Sequence, residues 1–365
     1  MLSGKTLVPR EDVPLQPFST LGVGGPARWF VTATHMEEVA AAHRWSEERR
    51  VRMFVLGGGS NVVIADEGFD GLVLHIAMRG VDFTERLGQT FVAASAGESW
   101  DGLVQAIVTR GLAGVECLSG IPGTVGGTPI QNVGAYGQDV SQTMDRVVVY
   151  DTLERRTRSL TSFECGFSYR MSRFKAADAG RFVVCGAAFR VRPGPPTVTY
   201  ADVAAFIKNL NLASPTLTDV RHAVLEIRRQ KGMVLDDADP DARSVGSFFM
   251  NPVVSEDTRN RIAAATGEQV PGFASGEGRV KLPAAWLIER AGFEKGYGEG
   301  AVGISTKHPL AIVNRGGASA RDVVRFASII KRGVSDRFGV WLRPEPVFVG
   351  FGMDADIAFL QRTES

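Results

Sequence analysis

Two clusters of glycine constrain this chain more than anything else in it. The first, Leu56-Gly57-Gly58-Gly59-Ser60-Asn61, directly follows an apolar run. The second, Ser119-Gly120-Ile121-Pro122-Gly123-Thr124-Val125-Gly126-Gly127, continues to Gln131-Asn132-Val133-Gly134-Ala135-Tyr136-Gly137. Adjacent glycines let backbone N–H groups converge on an anion with no Cβ in the way. Alone, the first cluster fits a tight turn between strands equally well. The second carries six glycines among Ser, Thr and Asn donors, more close-approach positions than a structural loop needs. Neither cluster contains Lys or Arg. Negative charge there falls to amide dipoles, which suits the diphosphate of a dinucleotide, FAD rather than ATP. Cofactor contacts are expected from Gly57, Gly58, Gly59, Ser60, Asn61, Ser119, Gly120, Ile121, Pro122, Gly123, Thr124, Gly126, Gly127, Asn132, Gly134 and Ala135.

The commoner nucleotide motifs fail. A Rossmann fingerprint needs glycine where Val62 stands and a helix after it, whereas β-branched residues follow. Gly4-Lys5-Thr6 mimics the tail of a P-loop without its upstream glycine. Leu21-Gly-Val-Gly-Gly-Pro26 is a third, weaker cluster that reads by itself as a turn.

At 365 residues, two or three domains are expected. Charge is balanced, 41 Lys+Arg against 40 Asp+Glu with no polybasic block, so neither nucleic acid nor a membrane face is a partner. Small molecules are the expected partners, and a monomer the expected state. Cys117, Cys165 and Cys185 are odd in number and set in apolar or aromatic surroundings, as reduced core thiols of a cytoplasmic protein would be. No metal-ligand spacing appears. Met1–Asp12 lacks the apolar core of a signal peptide, and no apolar run is long enough to span a bilayer.

Periodicity organises the chain as α+β throughout. A β-α-β unit is predicted from strand 27–34, helix 36–50 with Val39, Ala42 and Trp45 inward, and strand 51–56, ending with two short strands near residue 80. A second unit, 81–196, holds a strand at 91–94, a helix at 100–110 and strands at 146–150 and 181–191. Arg192-Pro-Gly-Pro-Pro then breaks regular structure. A third unit, 197–365, holds helices at 202–210, 217–230, 256–265, 283–291 and 319–338, with strands near 248, 310–314 and 346–350. Ser319 reads as the N-cap of the last helix.

With these segments in hand the chain resembles the UDP-N-acetylenolpyruvoylglucosamine reductases (UDP-N-acetylmuramate dehydrogenases, the MurB family) of peptidoglycan synthesis. The matching residues are Thr20-Leu-Gly-Val-Gly-Gly-Pro-Ala27, the two glycine clusters, Ser168-Tyr-Arg170, Gly246-Ser-Phe-Phe-Met-Asn-Pro252, Ala285-Trp-Leu-Ile-Glu289 and Pro344-Glu-Pro346, in family order over nearly the whole chain. The resemblance implies a two-subdomain FAD-binding domain of the PCMH, vanillyl-alcohol-oxidase-like type (1–80 and 81–196), then a separate α+β substrate-binding domain (197–365). It implies non-covalent FAD, reduced by NADPH, whose N5 passes hydride to an enolpyruvyl ether of a UDP sugar to give UDP-N-acetylmuramate. The charge pushed into the substrate carboxylate needs a cation and donors, and the adjacent carbon needs a proton. The match assigns the proton to Ser247 and the carboxylate to Arg170 and Glu345. An Arg fork suits a carboxylate, whereas a free glutamate would repel it unless protonated or hydrogen-bonded.

For the nucleotide half of the substrate the resemblance points to Tyr200, Lys231, Asn251 and His308. Tyr200 places the chain in the branch with a substrate-covering tyrosine loop. Two departures stand out: Met250 occupies a position where the family often has lysine, and the acidic stretch 234–243 is longer than expected. Read as a calcium loop from Asp237, that stretch puts Ala242 at the glycine position and Phe248 at the glutamate position, so it is expected to be a solvated loop near the substrate entrance. The alternative enzyme is an FAD oxidase of the same superfamily, with Cys117 as a conceivable covalent anchor. A nucleotide-sensing module without chemistry is the non-enzymatic alternative.

Overall fold

The computed structural model describes residues 7–363; Gly4-Lys5-Thr6 and the start of Met1–Asp12 lie outside them. The chain forms two compact units, each built from several segments: Met1–Val13, Ala27–Gly59 and Asp70–Val234 make one, and Pro14–Pro26, Ser60–Phe69 and Leu235–Ser365 the other. The first glycine cluster is thus divided between them at Gly59/Ser60.

Among the described residues the first unit contains two larger sheets and a two-stranded hairpin at Gly134–Asp139. One has strand order Arg10–Pro14, Pro26–Ala33, Phe69–Ile76, Met53–Leu56, with the last two parallel. Its helix, Met36–Arg49, opens with a capping box between His35 and Glu38. Val39 and Ala42 are buried as the periodicity requires, and Trp45 is half-buried. The other sheet is antiparallel, in order Arg156–Thr161, Met144–Asp151, Phe182–Pro193, Gln89–Ser95, Val81–Arg86. Along Gln89–Ser95 the buried residues are Thr90, Val92 and Ala94, the two-residue alternation of a strand with one face in the core. Helix Trp100–Thr109 contributes Leu103, Val104 and Ile107 to the same core.

The unit boundary differs from the sequence expectation at residue 196. Arg192 and Pro193 still pair as strand with Ala113 and Leu112. The helices beyond them, Ala201–Asn209 and Leu217–Gln230, bury Val203, Ile207, Val220, Ala223, Val224 and Ile227 around Cys117. Their apolar faces are covered here, so the chain stays in the first unit until Val234.

The second unit holds an antiparallel sheet, Ser244–Ser247, Ala311–Asn314, Val302–Ile304, and a smaller one from Val253–Ser255, Arg279–Lys281 and Phe273–Ala274. Val347–Val349 pairs in parallel with Val62–Ile64. Leu21, Val23 and Val63 share a core with Phe248, Leu287 and Ile330, which explains why those early segments belong here. The helix Ala320–Phe338 has its Ser319/Asp322 capping box and closes on left-handed Gly339. Asp66 adds negative charge at its start, accepting from the amides of Ala320 at 2.7 Å and Arg321 at 3.0 Å. Among the described residues, no helix is long and apolar enough to cross a membrane.

Candidate active site

In the first unit the two glycine clusters pack on each other. A Cβ on Gly58 would lie 2.8 Å from Gly123 Cα, and one on Gly57 would lie 2.9 Å from Thr124 Oγ1. Glycine is needed there for backbone approach rather than for an unusual φ. Much of the second cluster holds its own shape. The Gly120 amide donates to Asp101 Oδ1 at 2.6 Å, Val125 to the Glu98 carbonyl, Gly126 to Ala96 and Gly127 to Thr124. Ser119 is fully buried with its hydroxyl on the Glu116 carbonyl. Among the described residues, the amides of Gly57, Gly58, Ile121, Gly123 and Thr124 have no protein acceptor. These five donors, on two abutting turns with no basic side chain between them, are candidates for an anion cradle of the kind that suits a diphosphate.

Asn132, also expected at the cofactor, has its side chain engaged at both ends: Nδ2 donates to the Ser168 carbonyl and Oδ1 accepts from the Ser141 amide. Gly134 and Ala135 form a small hairpin with Asp139 and Gln138. Arg170, at a left-handed φ of 53°, donates to the carbonyls of Asn132 and Gly134. A Cβ on Gly134 would sit 3.0 Å from the Arg170 Nη1, so this glycine admits the guanidinium. Cys117 is buried, its thiol pushed up to about 12 by burial and by Glu116, and it donates to the Thr197 carbonyl. It has none of the thiolate character that covalent flavin attachment would draw on.

Tyr200 and Lys231 meet at a residue the sequence reading did not single out. The Tyr136 ring lies edge-on to Tyr200 at 5.3 Å, with Lys231 Nζ 5.8 Å from its centroid. Burial pushes the Tyr136 hydroxyl up, and the cations of Arg228 and Lys231 oppose that shift. Lys231 bonds Asp202 at 2.8 Å. Burial pulls its ammonium down, but the Asp202 bond and Tyr136 outweigh that and leave it raised. An aromatic set between small residues, Ala135-Tyr136-Gly137, was the available sequence signal for Tyr136.

In the second unit Ser247 ends a strand paired with Ala311, just after Gly246 at φ 72° and an irregularity in register. Glu345 lies opposite the next residue, Phe248: its amide donates to the Phe248 carbonyl at 2.8 Å, and Phe249 bridges Pro344. Both side chains are half-buried. Asn61 Nδ2 donates to the Glu345 carbonyl at 3.3 Å, and the Asn61 carbonyl accepts from Val347. Asn61, read from sequence as a cofactor contact, thus also bonds the backbone at Glu345. Asn251 Oδ1 accepts from Ala284, the first amide of helix Ala284–Arg290, leaving its Nδ2 for a ligand. His308 has its amide on Ser305 Oγ and its carbonyl on Ala311.

The acidic stretch departs from expectation, because it is anchored rather than simply solvated. Asp241 is 4% exposed and its Oδ2 accepts both the amide and the hydroxyl of Thr306, at 3.0 and 2.7 Å. Asp239 pairs with Lys307 at 2.8 Å. Burial pushes the Asp239 carboxyl up, but the Lys307 bond and the Asp241 amide outweigh it and hold the group low. A buried carboxylate persists only with such partners.

The amide donors and the unit that carries them suit a flavin-dependent oxidoreductase, and residues 27–153 match the family described as FAD binding domain. Residues 239–349 match the C-terminal domain of UDP-N-acetylenolpyruvoylglucosamine reductase. The reductase of that name from Thermobifida fusca is 49% identical over 350 residues, 93% of this chain and 98% of that protein. The Streptomyces coelicolor reductase is 46% identical over 361 residues, 96% and 93% of the two chains. The crystal structure of the Thermus caldophilus reductase superposes with a TM-score of 0.64 at 26% identity, over 94% of this chain and all of that one. This chain belongs to the UDP-N-acetylenolpyruvoylglucosamine reductase family, the FAD-dependent oxidoreductases of peptidoglycan precursor synthesis.

Proposed function

We propose that this protein uses NADPH to reduce the enolpyruvyl ether of UDP-N-acetylglucosamine enolpyruvate to UDP-N-acetylmuramate in the cytoplasm. The amides of Gly57, Gly58, Ile121, Gly123 and Thr124 would hold the FAD diphosphate. When bound, FAD supplies the hydride. Charge then builds on the substrate carboxylate, where Arg170 provides the cation and Glu345 a second contact. Ser247 gives its hydroxyl proton to the adjacent carbon; opposite so strong a base, an alcohol needs no lowered pKa. Tyr136, Tyr200 and Lys231 serve the nucleotide diphosphate, Tyr200 by ring contact and Lys231 as a point charge. Asn251 and His308 complete the substrate contacts.

The observation that carries this reading is the register holding Ser247 and Glu345 on neighbouring backbone, through Glu345 N to Phe248 O and the Phe249–Pro344 bridge. The experiment is NADPH oxidation by purified, yellow protein. Turnover should start only when the enolpyruvyl sugar nucleotide is added. Equal turnover with oxygen alone would instead make the protein an oxidase.

A further inference from the structure

Helix Leu217–Gln230 presents Arg221, Leu225 and Arg228 at spacings of four and three, one face, toward a single residue of the second glycine cluster, Arg221 by way of Asp101. That residue is Gly120, at φ 70°. Its amide donates to Asp101, which is gripped by both terminal nitrogens of Arg221 at 2.6 and 2.8 Å. Its carbonyl accepts from Arg228 Nε at 3.2 Å, and a Cβ on Gly120 would lie 2.8 Å from Leu225 Cδ2. The residue immediately before the free amide of Ile121 is therefore held at its N–H, its carbonyl and its flank.

The same Arg228 reaches the other side. Its Nη2 donates to the Met233 carbonyl at 2.8 Å, and its own carbonyl accepts from Lys231 and Met233. Lys231 is the C-cap of this helix. Arg228 is 6% exposed and its guanidinium lies against the phenol of Tyr136. Placing a cation so deep is costly unless its hydrogen bonds are used. Here they join the turn that carries Lys231 to the turn that precedes the amide cradle.

We propose that Arg228 is a positioning residue that couples the flavin turn to the sugar-nucleotide subsite, touching neither ligand itself. The inference rests on the assignment of the cradle to FAD and of Lys231 to the nucleotide. Any sugar nucleotide that fixes Tyr136 and Lys231 then fixes Arg228, the Gly120 peptide and the amides after it. Linkage makes the effect reciprocal: bound flavin tightens the nucleotide site by the same factor.

The test uses the FAD-loaded protein and UDP-N-acetylglucosamine, which carries the nucleotide but no reducible group. Flavin release on heating is followed by fluorescence with and without the sugar nucleotide, whose affinity is titrated separately. In the native protein the sugar nucleotide should raise the release temperature. Arg228→Lys keeps the charge but cannot span both carbonyls; it should still bind each ligand, the sugar nucleotide about tenfold more weakly, and lose the shift. Arg229→Gln, the exposed neighbour paired with Glu226, should keep the shift in full. No shift in the native protein, or a full shift in Arg228→Lys, overturns the coupling. Should Arg228→Lys fail to retain flavin, Arg221→Met loosens only the Asp101 edge and should give a reduced shift; a full shift there also overturns it. These are binding readouts, so they stand apart from the reductase assay. A Lys231→Ala variant with unchanged sugar-nucleotide affinity would remove the nucleotide assignment instead.

Discussion

The Gly57–Thr124 cradle and the Ser247–Glu345 pair use the backbone in opposite ways. In the cradle, side chains and several amides hold the turn, and the free N–H groups are the part proposed to bind. Around Ser247 and Glu345 the backbone is paired, and the proposed chemistry falls to the side chains. A backbone site tolerates change in side-chain chemistry but not in bulk; a side-chain site tolerates small bulk changes but not loss of one hydroxyl. The two regions should therefore fail differently.

The largest expected effect is at the hydroxyl. Ser247→Ala should slow reduction of the sugar by about 10²–10⁴-fold, the range for losing a general acid. Flavin reduction by NADPH, followed by stopped-flow absorbance, should stay within about twofold of native, because the cradle is untouched. Loss of both half-reactions would erase the proposed division between the regions.

Next comes bulk in the cradle. Gly58→Ala puts a methyl 2.8 Å from Gly123 Cα, where only backbone movement gives relief. We expect flavin affinity to fall by about tenfold or more, from about 1–3 kcal/mol of overpacking. Gly127→Ala, whose Cβ would meet nothing within 4 Å, should leave flavin content unchanged. Equal losses in the two variants would mean that the loop needs flexibility rather than close approach.

The same contrast explains what was legible in the sequence. Helix Leu217–Gln230 was read to the residue because its caps and apolar period are local. The glycine clusters stood out in the sequence because backbone crowding forces a residue type at Gly57 and Gly58. Which amides are free was not legible, since Asp101 reaches Gly120 from 19 residues away and Arg228 from 108. The strands Val81–Arg86 and Arg156–Thr161 went unread because their exposed faces dilute the apolar alternation. The acidic stretch misled for a related reason: a run of aspartates looks solvated until Thr306, 65 residues on, is seen against Asp241. Ser247 and Glu345 became readable only through whole-chain resemblance, because no local rule marks a serine before two phenylalanines.

A smaller effect tests that acidic stretch. Asp241→Ala removes two hydrogen bonds to the exposed Thr306, at about 0.5–1.5 kcal/mol each. Thermal unfolding should register the loss, and Asp241→Asn, which keeps an acceptor, should recover part of it. If the alanine variant melts like the native protein, Asp241 does not anchor the loop.

The smallest effect is electrostatic and separates the regions by pH. Burial pushes the Asp101 carboxyl up, but the Arg221 bond and the Gly120 amide outweigh burial and leave it below its ordinary 3.8. A depressed acid stabilises the folded cradle in full above that ordinary value and loses its contribution as pH falls through the lowered one. Flavin retention should therefore be flat from neutrality to about pH 4 and decline below it. Asp101→Asn keeps an acceptor for Gly120 but has no charge for Arg221. It should bind flavin about threefold more weakly at neutral pH, as expected for one partly exposed ion pair, and its acid decline should be shallower. Fluorescence of released FAD across the acid range measures both. A variant whose acid limb matches the native one would move the acid sensitivity away from Asp101, and with it the claim that this clamp holds the cradle's amides in place.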